Sequence, residues 1–173
     1  GLHVALCRQQ GGGPELLQIV QALLDSGTDP NLATCRGDTP LGLACAVGQL
    51  EVAEILLQAG ANADARAEDG MTALFSAISI ARKPDLALLI LRAGARTDIC
   101  HIDGRSPLYV ACERGMREVV AEMINLHPDE TEQQLRETPL WLVHPAQAAT
   151  ANGYFDVASL FVASSAMVAS RHR

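Results

Sequence analysis

Laid against itself, the sequence repeats, and the repeat restricts the fold more than any other feature does. Thr39-Pro40-Leu41, Thr72-Ala73-Leu74, Ser106-Pro107-Leu108 and Thr138-Pro139-Leu140 recur at intervals of 33, 34 and 32 residues. A second series, Leu23-Leu24-Asp25-Ser26-Gly27, Leu56-Leu57-Gln58-Ala59-Gly60 and Ile90-Leu91-Arg92-Ala93-Gly94, runs in phase with it at spacings of 33 and 34. Gly37, Gly70 and Gly104 form a third, each two residues before its Thr or Ser. Periods of this length mark arrays in which one supersecondary unit is stacked repeatedly, because a single unit cannot bury its own apolar face.

The residues within a unit encode its elements. Thr39 or its equivalent can cap a helix, and Pro40 suits the first helical turn, where its missing N–H does no harm. After a turn at Gly48, Val52, Ile55 and Leu56 make one face of a second helix, with Leu50, Ala53 and Leu57 beside it, until Gly60 supplies a left-handed stop. Gly37, Gly70 and Gly104 supply the permissive backbone that a tight hairpin needs between units.

These units resemble the ankyrin-repeat family, whose repeats of about 33 residues combine a β-turn with two helices and carry a T-P-L-H-x-A signature. The best-matched unit runs from Gly37-Asp38-Thr39-Pro40-Leu41 to Gln58-Ala59-Gly60-Ala61-Asn62. The resemblance implies an all-α ankyrin-repeat solenoid of helix-turn-helix units joined by β-hairpin loops. Residues 1–173 then form a single domain with approximate units 1–33 (incomplete), 34–66, 67–100, 101–132 and 133–173, the last an atypical cap.

The units depart from the family pattern in places. The first begins at Leu2-His3-Val4-Ala5 without a hairpin, and a longer Arg8-Gln9-Gln10-Gly11-Gly12-Gly13-Pro14 separates its helices. The third has one extra residue, expected near Lys83-Pro84, and the fourth runs into His127-Pro128-Asp129-Glu130 without a Gly stop. The fifth has Arg136 in place of a hairpin Gly and about six extra residues between Trp141 and Gly153. Terminal repeats of solenoids are commonly atypical.

Composition narrows the function classes. Hydrophobic residues make up 49% of the chain and charged ones 19%, enough apolar material for a core without metals or disulfides. A net charge of −7 runs against nucleic acid and anionic membrane surfaces, which need concentrated Lys and Arg. No stretch reaches the roughly 18 continuous apolar residues of a membrane span. Five cysteines, none in a C-x-x-C spacing, argue for a reduced protein of the cytoplasm or nucleus. The start at Gly1, without Met, points to a piece of a longer chain.

No motif supports catalysis or a cofactor. Gly11-Gly12-Gly13-Pro14 lacks the following G-K-[ST] of a phosphate loop, and His127-Pro128-Asp129, a co-chaperone triplet, falls here at a repeat boundary and reads as a chance match. The five His residues show no ligand-pair spacing, so neither a metal site nor a catalytic set can be nominated. Cys45 and Cys112 occupy equivalent positions, with Ile78 between, and read as small buried apolar residues.

Three residues after each unit's Thr or Ser stand Gly42, Phe75, Tyr109 and Trp141, where the family usually has a His that ties the helix start to the neighbouring hairpin. The rings either stack between units or offer edges to a ligand. The resemblance further implies that partners contact the hairpin tips and the exposed end of each first helix. The tips are Arg36, Asp38, Glu68, Asp69, Met71, Ile102, Asp103 and Arg105, and the helix ends are Val47, Ile80, Glu113 and Arg114. Arg36, Arg105 and Arg114 stand against Asp38, Glu68, Asp69, Asp103 and Glu113, which suits a partner that is at most mildly basic.

The expected function is non-catalytic capture of a protein or peptide partner in the concave groove. The alternatives are a substrate-recruiting or regulatory region of a larger multidomain enzyme, such as a ligase, kinase or acyltransferase, and a purely structural array. The apolar segment Tyr154-Phe155-Asp156-Val157-Ala158-Ser159-Leu160-Phe161-Val162-Ala163, continuing through Met167 and Val168, must be covered by fold-back, with the insertion His144-Pro145-Ala146-Gln147-Ala148-Ala149 extending the cap, by self-association, or by a missing part of the chain.

Overall fold

The computed structural model describes residues 1–8, 13–128, 131, 133 and 144–161. The helices among the described residues are, in order, α1 (Leu2–Arg8), α2 (Pro14–Asp25), α3 (Pro40–Val47), α4 (Leu50–Gln58), α5 (Ala73–Ser76), α6 (Pro84–Arg92), α7 (Pro107–Glu113), α8 (Arg117–Leu126) and α9 (Pro145–Ala151). The backbone over 155–161 is also helical, and no strand occurs among the described residues.

The helix starts follow from the side chains that were read as caps. Thr39 Oγ1 accepts from the Gly42 amide at 3.1 Å, Thr72 Oγ1 from Phe75 at 3.2 Å and Ser106 Oγ from Tyr109 at 3.1 Å. Each satisfies one of the amides a helix start leaves without an internal partner. The stops are local as well. At the end of α4 the Ala61 amide donates to Leu56 O and the Gly60 amide to Leu57 O, with Gly60 at φ +86°. That pairing is the left-handed closure which a residue with a Cβ enters at a cost.

The helices lie in two layers. α3 packs on α1 and α5, and α7 on α9, while α4 packs on α2 and α6, and α6 on α8. Leu41, Leu56, Leu74, Ile78, Leu86, Ile90, Leu108 and Met123 lie in one continuous buried core that runs from Leu2 to Phe161. Cys45 and Cys112 are part of it, as their shared register implied. Side-chain bonds also join neighbouring units. Asn31 Nδ2 donates to Gly60 O at 3.0 Å, the Arg96 amide donates to Asp64 Oδ1 at 2.8 Å, and Arg92 pairs with Glu122 at 3.1 Å.

Two of the expected irregularities sit elsewhere. The extra residue of the third unit lies inside its first helix, where α5 continues as a π-helical turn over Ala77–Ala81 and ends on Arg82 at φ +53°. A wider turn absorbs one residue without moving the helix start. The stretch from His144 is no fold-back insertion but the first helix of the last unit. His144 Nδ1 accepts from the Ala146 amide at 3.2 Å, Pro145 takes the first turn, and α9 packs on α7 as first helices do. Gly153 follows His144 at the same distance as Gly48 follows Thr39, so the extra residues precede this helix. Thr138-Pro139-Leu140 and Trp141 lie outside the described residues.

Candidate binding groove

Three hairpins stand at one end of the first helices. In each, a carbonyl accepts from a Gly in the left-handed region: Gly37 N to Thr34 O, Gly70 N to Ala67 O and Gly104 N to His101 O, all at 2.9 Å. The first two hairpins are joined by a bond from the Glu68 amide to Arg36 O at 3.0 Å. Side chains hold the tips. Asp69 Oδ1 accepts from the Met71 amide, and Asp103 accepts from both the amide and the guanidinium of Arg105. Burial works against the Asp103 carboxylate, but the bonds from Arg105 and His101 more than offset it and hold its carboxyl below the usual range.

The register three residues into each first helix now has a geometric meaning. His3 Nε2 lies 3.0 Å from Asp38 O and ties the first unit to the next hairpin. In the third unit the same link is made by stacking, since the Phe75 and His101 rings lie 4.9 Å apart and 12° from parallel. Phe75 is 2% exposed, so its ring holds the next hairpin and offers no edge to the groove. The expectation that it contacts a partner is corrected on that ground. Tyr109 is partly buried, and burial and the Glu113 carboxylate push its phenol up. In the last unit the register belongs to Gln147, three residues after the cap His144.

Gly42 has no side chain to make the link, and a hollow of about 110 Å³ remains in front of it. Ala46, Ala67, Ser76, Met71 and Ile80 line the hollow, with Asp38 and Asp69 at its hairpin side. Ile80 is 52% exposed, Val47 44% and Ile102 67%. Val47 and Ile80 therefore face solvent and do not turn inward, whereas Met71 is partly buried against the core.

The charged residues are placed less uniformly. Arg36 is exposed and lies 3.6 Å from Asp38, and Glu68 is exposed at its tip. Arg105 reaches along α7 to Glu113 at 3.6 Å. With Arg82, Arg114 and Tyr154, these two line a second, polar cavity of about 550 Å³ at the turns that follow α5, α7 and α9. Arg82 and Tyr154 were not nominated from the sequence. Arg82 shows itself only once the π turn is allowed for, because it then stands where Gly48, Gly115 and Gly153 stand in the other units. The role of His3 was visible in Leu2-His3-Val4-Ala5, which fits the L-H-x-A part of the signature.

The family model described as Ankyrin repeats (3 copies) matches residues 2–98. The chain belongs to the ankyrin-repeat family. Ankyrin repeats are generally protein-interaction modules. Similar proteins include the human neurogenic locus notch homolog protein 4, 32% identical over 110 residues, which is 63% of this chain and 6% of that protein. A putative ankyrin repeat protein of fowlpox virus is 27% identical over 153 residues, 88% of this ankyrin array and 34% of the viral protein. The human SH3 and multiple ankyrin repeat domains protein 1 is 50% identical over 60 residues, 34% of this chain and 3% of that one. The chain thus spans about a third or less of these relatives.

Among the described residues, no helix is long and apolar enough to cross a membrane. No group of three or more His, Cys, Asp or Glu among them is arranged to hold a metal ion.

Proposed function

We propose that this ankyrin array captures an extended protein or peptide segment in its concave groove, without catalysis. One observation carries the reading. Exposed Ile80 and partly buried Met71 edge a hollow that exists because Gly42 lacks the ring found at this register in neighbouring units. A hollow of that size accepts one apolar side chain, and Ile102 and Val47 extend the apolar surface on either side of it. Anchors in such pockets dominate binding, while the charged rim, here Arg36, Asp38, Glu68, Asp69 and Asp103, sets orientation and rate. Glu113, Arg105, Arg114 and Tyr109 continue the surface along α7. The acidic tips suit a segment that is mildly basic where it crosses the first hairpins. A reducing compartment, cytoplasmic or nuclear, suits the unpaired thiols Cys35, Cys45, Cys100 and Cys112.

The test begins with peptides selected from a random dodecamer display library on the wild-type chain. Their affinities are then measured against Met71→Ala, Ile80→Ala and Ile102→Ala. Loss of an anchor costs about 2 kcal/mol or more, roughly thirtyfold in Kd, with the thermal midpoint nearly unchanged. Undiminished affinity in all three variants removes the groove reading.

A further inference from the structure

We propose that the arginine-lined cavity at the turns after α5, α7 and α9 binds an anionic side chain, a phosphoryl or carboxylate group, of a protein segment lying in the groove. The proposal rests on the groove reading above and adds the chemistry of a second subsite.

Three observations converge on it. First, the cavity is large, about 550 Å³, and Arg82, Arg105 and Arg114 line it against one carboxylate, Glu113. That excess of positive charge lies in a chain whose net charge is −7. Glu113 Oε2 lies 3.6 Å from Arg105 Nη1 and makes no hydrogen bond, while Asp103 holds Arg105 at 2.7 Å. The side chains of Arg82 and Arg114 make no hydrogen bond or ion pair among the described residues, and Arg114 Nε is buried without a partner. A buried donor without an acceptor is costly, and an arriving oxyanion satisfies it.

Second, Arg82 occupies a backbone conformation that disfavours any side chain. Its φ of +53° makes it the non-glycine residue with positive φ among those described, and the other units place Gly48, Gly115 and Gly153 at the corresponding turn. Strained conformations of this kind collect at binding sites, where the side chain they present compensates for the strain. Third, the π turn over Ala77–Ala81 precedes Arg82 directly and carries Ile80 into the groove. The inserted residue therefore shapes the apolar hollow and the arginine cavity together.

Arginine suits this task because its planar fork meets both phosphoryl and carboxylate oxygens with paired N–H groups. Tyr154 closes the far side, its ring set so tightly over Gly115 that a Cβ there would come within 2.5 Å of it. Nucleic acid, the other abundant source of phosphate, needs an extended basic track, and the acidic hairpin tips supply the opposite.

Oriented pools of random nonapeptides with the central residue fixed as serine, phosphoserine, glutamate or lysine test the proposal by fluorescence anisotropy. Wild type should bind the phosphoserine or glutamate pool at least about tenfold more tightly than the serine and lysine pools, the scale of one charged hydrogen bond. The ratio of those two pools identifies the anion. Arg82→Gly and Arg114→Gln should abolish the preference, and Arg82→Gly should raise the thermal midpoint, since it removes the strained side chain while keeping the turn. Equal binding of all pools, or a preference that survives both arginine variants, overturns the site and leaves the groove standing. A preference lost in the arginine variants, with pool affinities undiminished in Met71→Ala, Ile80→Ala and Ile102→Ala, keeps the site and removes the groove. No pool bound above a bovine albumin control overturns both.

Discussion

At the scale of single residues, burial and backbone angle make different demands. Burial pushes the Cys45 and Cys112 thiols up from 9.0 to about 12, because the thiolate cannot be solvated in the core. The folded pKa lies above the unfolded one, so the folded chain keeps protons that the unfolded chain releases. The stability linked to these thiols is whole below about pH 9 and is lost as the pH climbs towards 12. Denaturant midpoints between pH 8 and 11 should fall more steeply for the wild type than for a Cys45→Ala/Cys112→Ala variant, and equal slopes would show ordinary thiols. Gly60 and Gly70 provide a second comparison. Both have positive φ, at +86° and +83°, but a Cβ on Gly60 meets nothing within 4 Å, while one on Gly70 comes within 2.8 Å of the Ile102 amide nitrogen. Gly60→Ala should cost about 1–2 kcal/mol for the left-handed angle alone. Gly70→Ala should cost at least about 1 kcal/mol more, since the next hairpin must move. Chemical denaturation of both variants checks the difference.

At the scale of elements, the first helices differ in what they place against the next hairpin. The His3 bond and the Phe75–His101 stack hold two hairpins, and Gly42 leaves the hairpin between them with a hollow. Gly42 is helical, and an added Cβ meets only Thr39 Oγ1, at 3.4 Å. Gly42→Leu should therefore gain up to about 1 kcal/mol of helix propensity and fill the hollow with apolar surface. The expected outcome is a thermal midpoint at or above that of the wild type, together with loss of the display-selected peptides. Peptide binding unaffected by the filled hollow would place the apolar anchor elsewhere. The caps of α3, α5 and α7 were legible in the sequence because each joins a side chain to an amide three residues on. The π turn was not, because an extra residue in a helix and one in the following loop leave the same spacing between repeats.

At the scale of the whole molecule, the array's C-terminal end tests how the solenoid is closed. Val157 and Phe161 are buried in the core, while Phe155 is 70% exposed. Phe161→Asp should lower stability by about 3 kcal/mol or more, the cost of an unpaired charge in a packed site. Phe155→Asp should leave the thermal midpoint unchanged, and light scattering of the two variants beside the wild type shows whether the exposed ring mediates self-association. A Phe161→Asp protein of full stability would contradict the burial on which this rests.

The sequence by itself determined the repeat, the helix caps, the glycine stops and the hairpin tips, because each is specified by residues within a few positions of one another. It also determined the burial of Cys45 and Cys112, since equivalent positions of a repeat share one environment. Tertiary structure decided the rest. Thr138-Pro139 read as the last unit's helix start and His144–Ala149 as an insertion, whereas the packing of α9 on α7 makes His144 the start of a first helix. Phe75 and Gly42 share one register, yet the first is covered by His101 and the second opens a hollow, because the outcome depends on what the neighbouring hairpin brings against it. The arginine cavity draws its walls from three successive units, and only the stacking of those units brings Arg82, Arg114 and Tyr154 to one place.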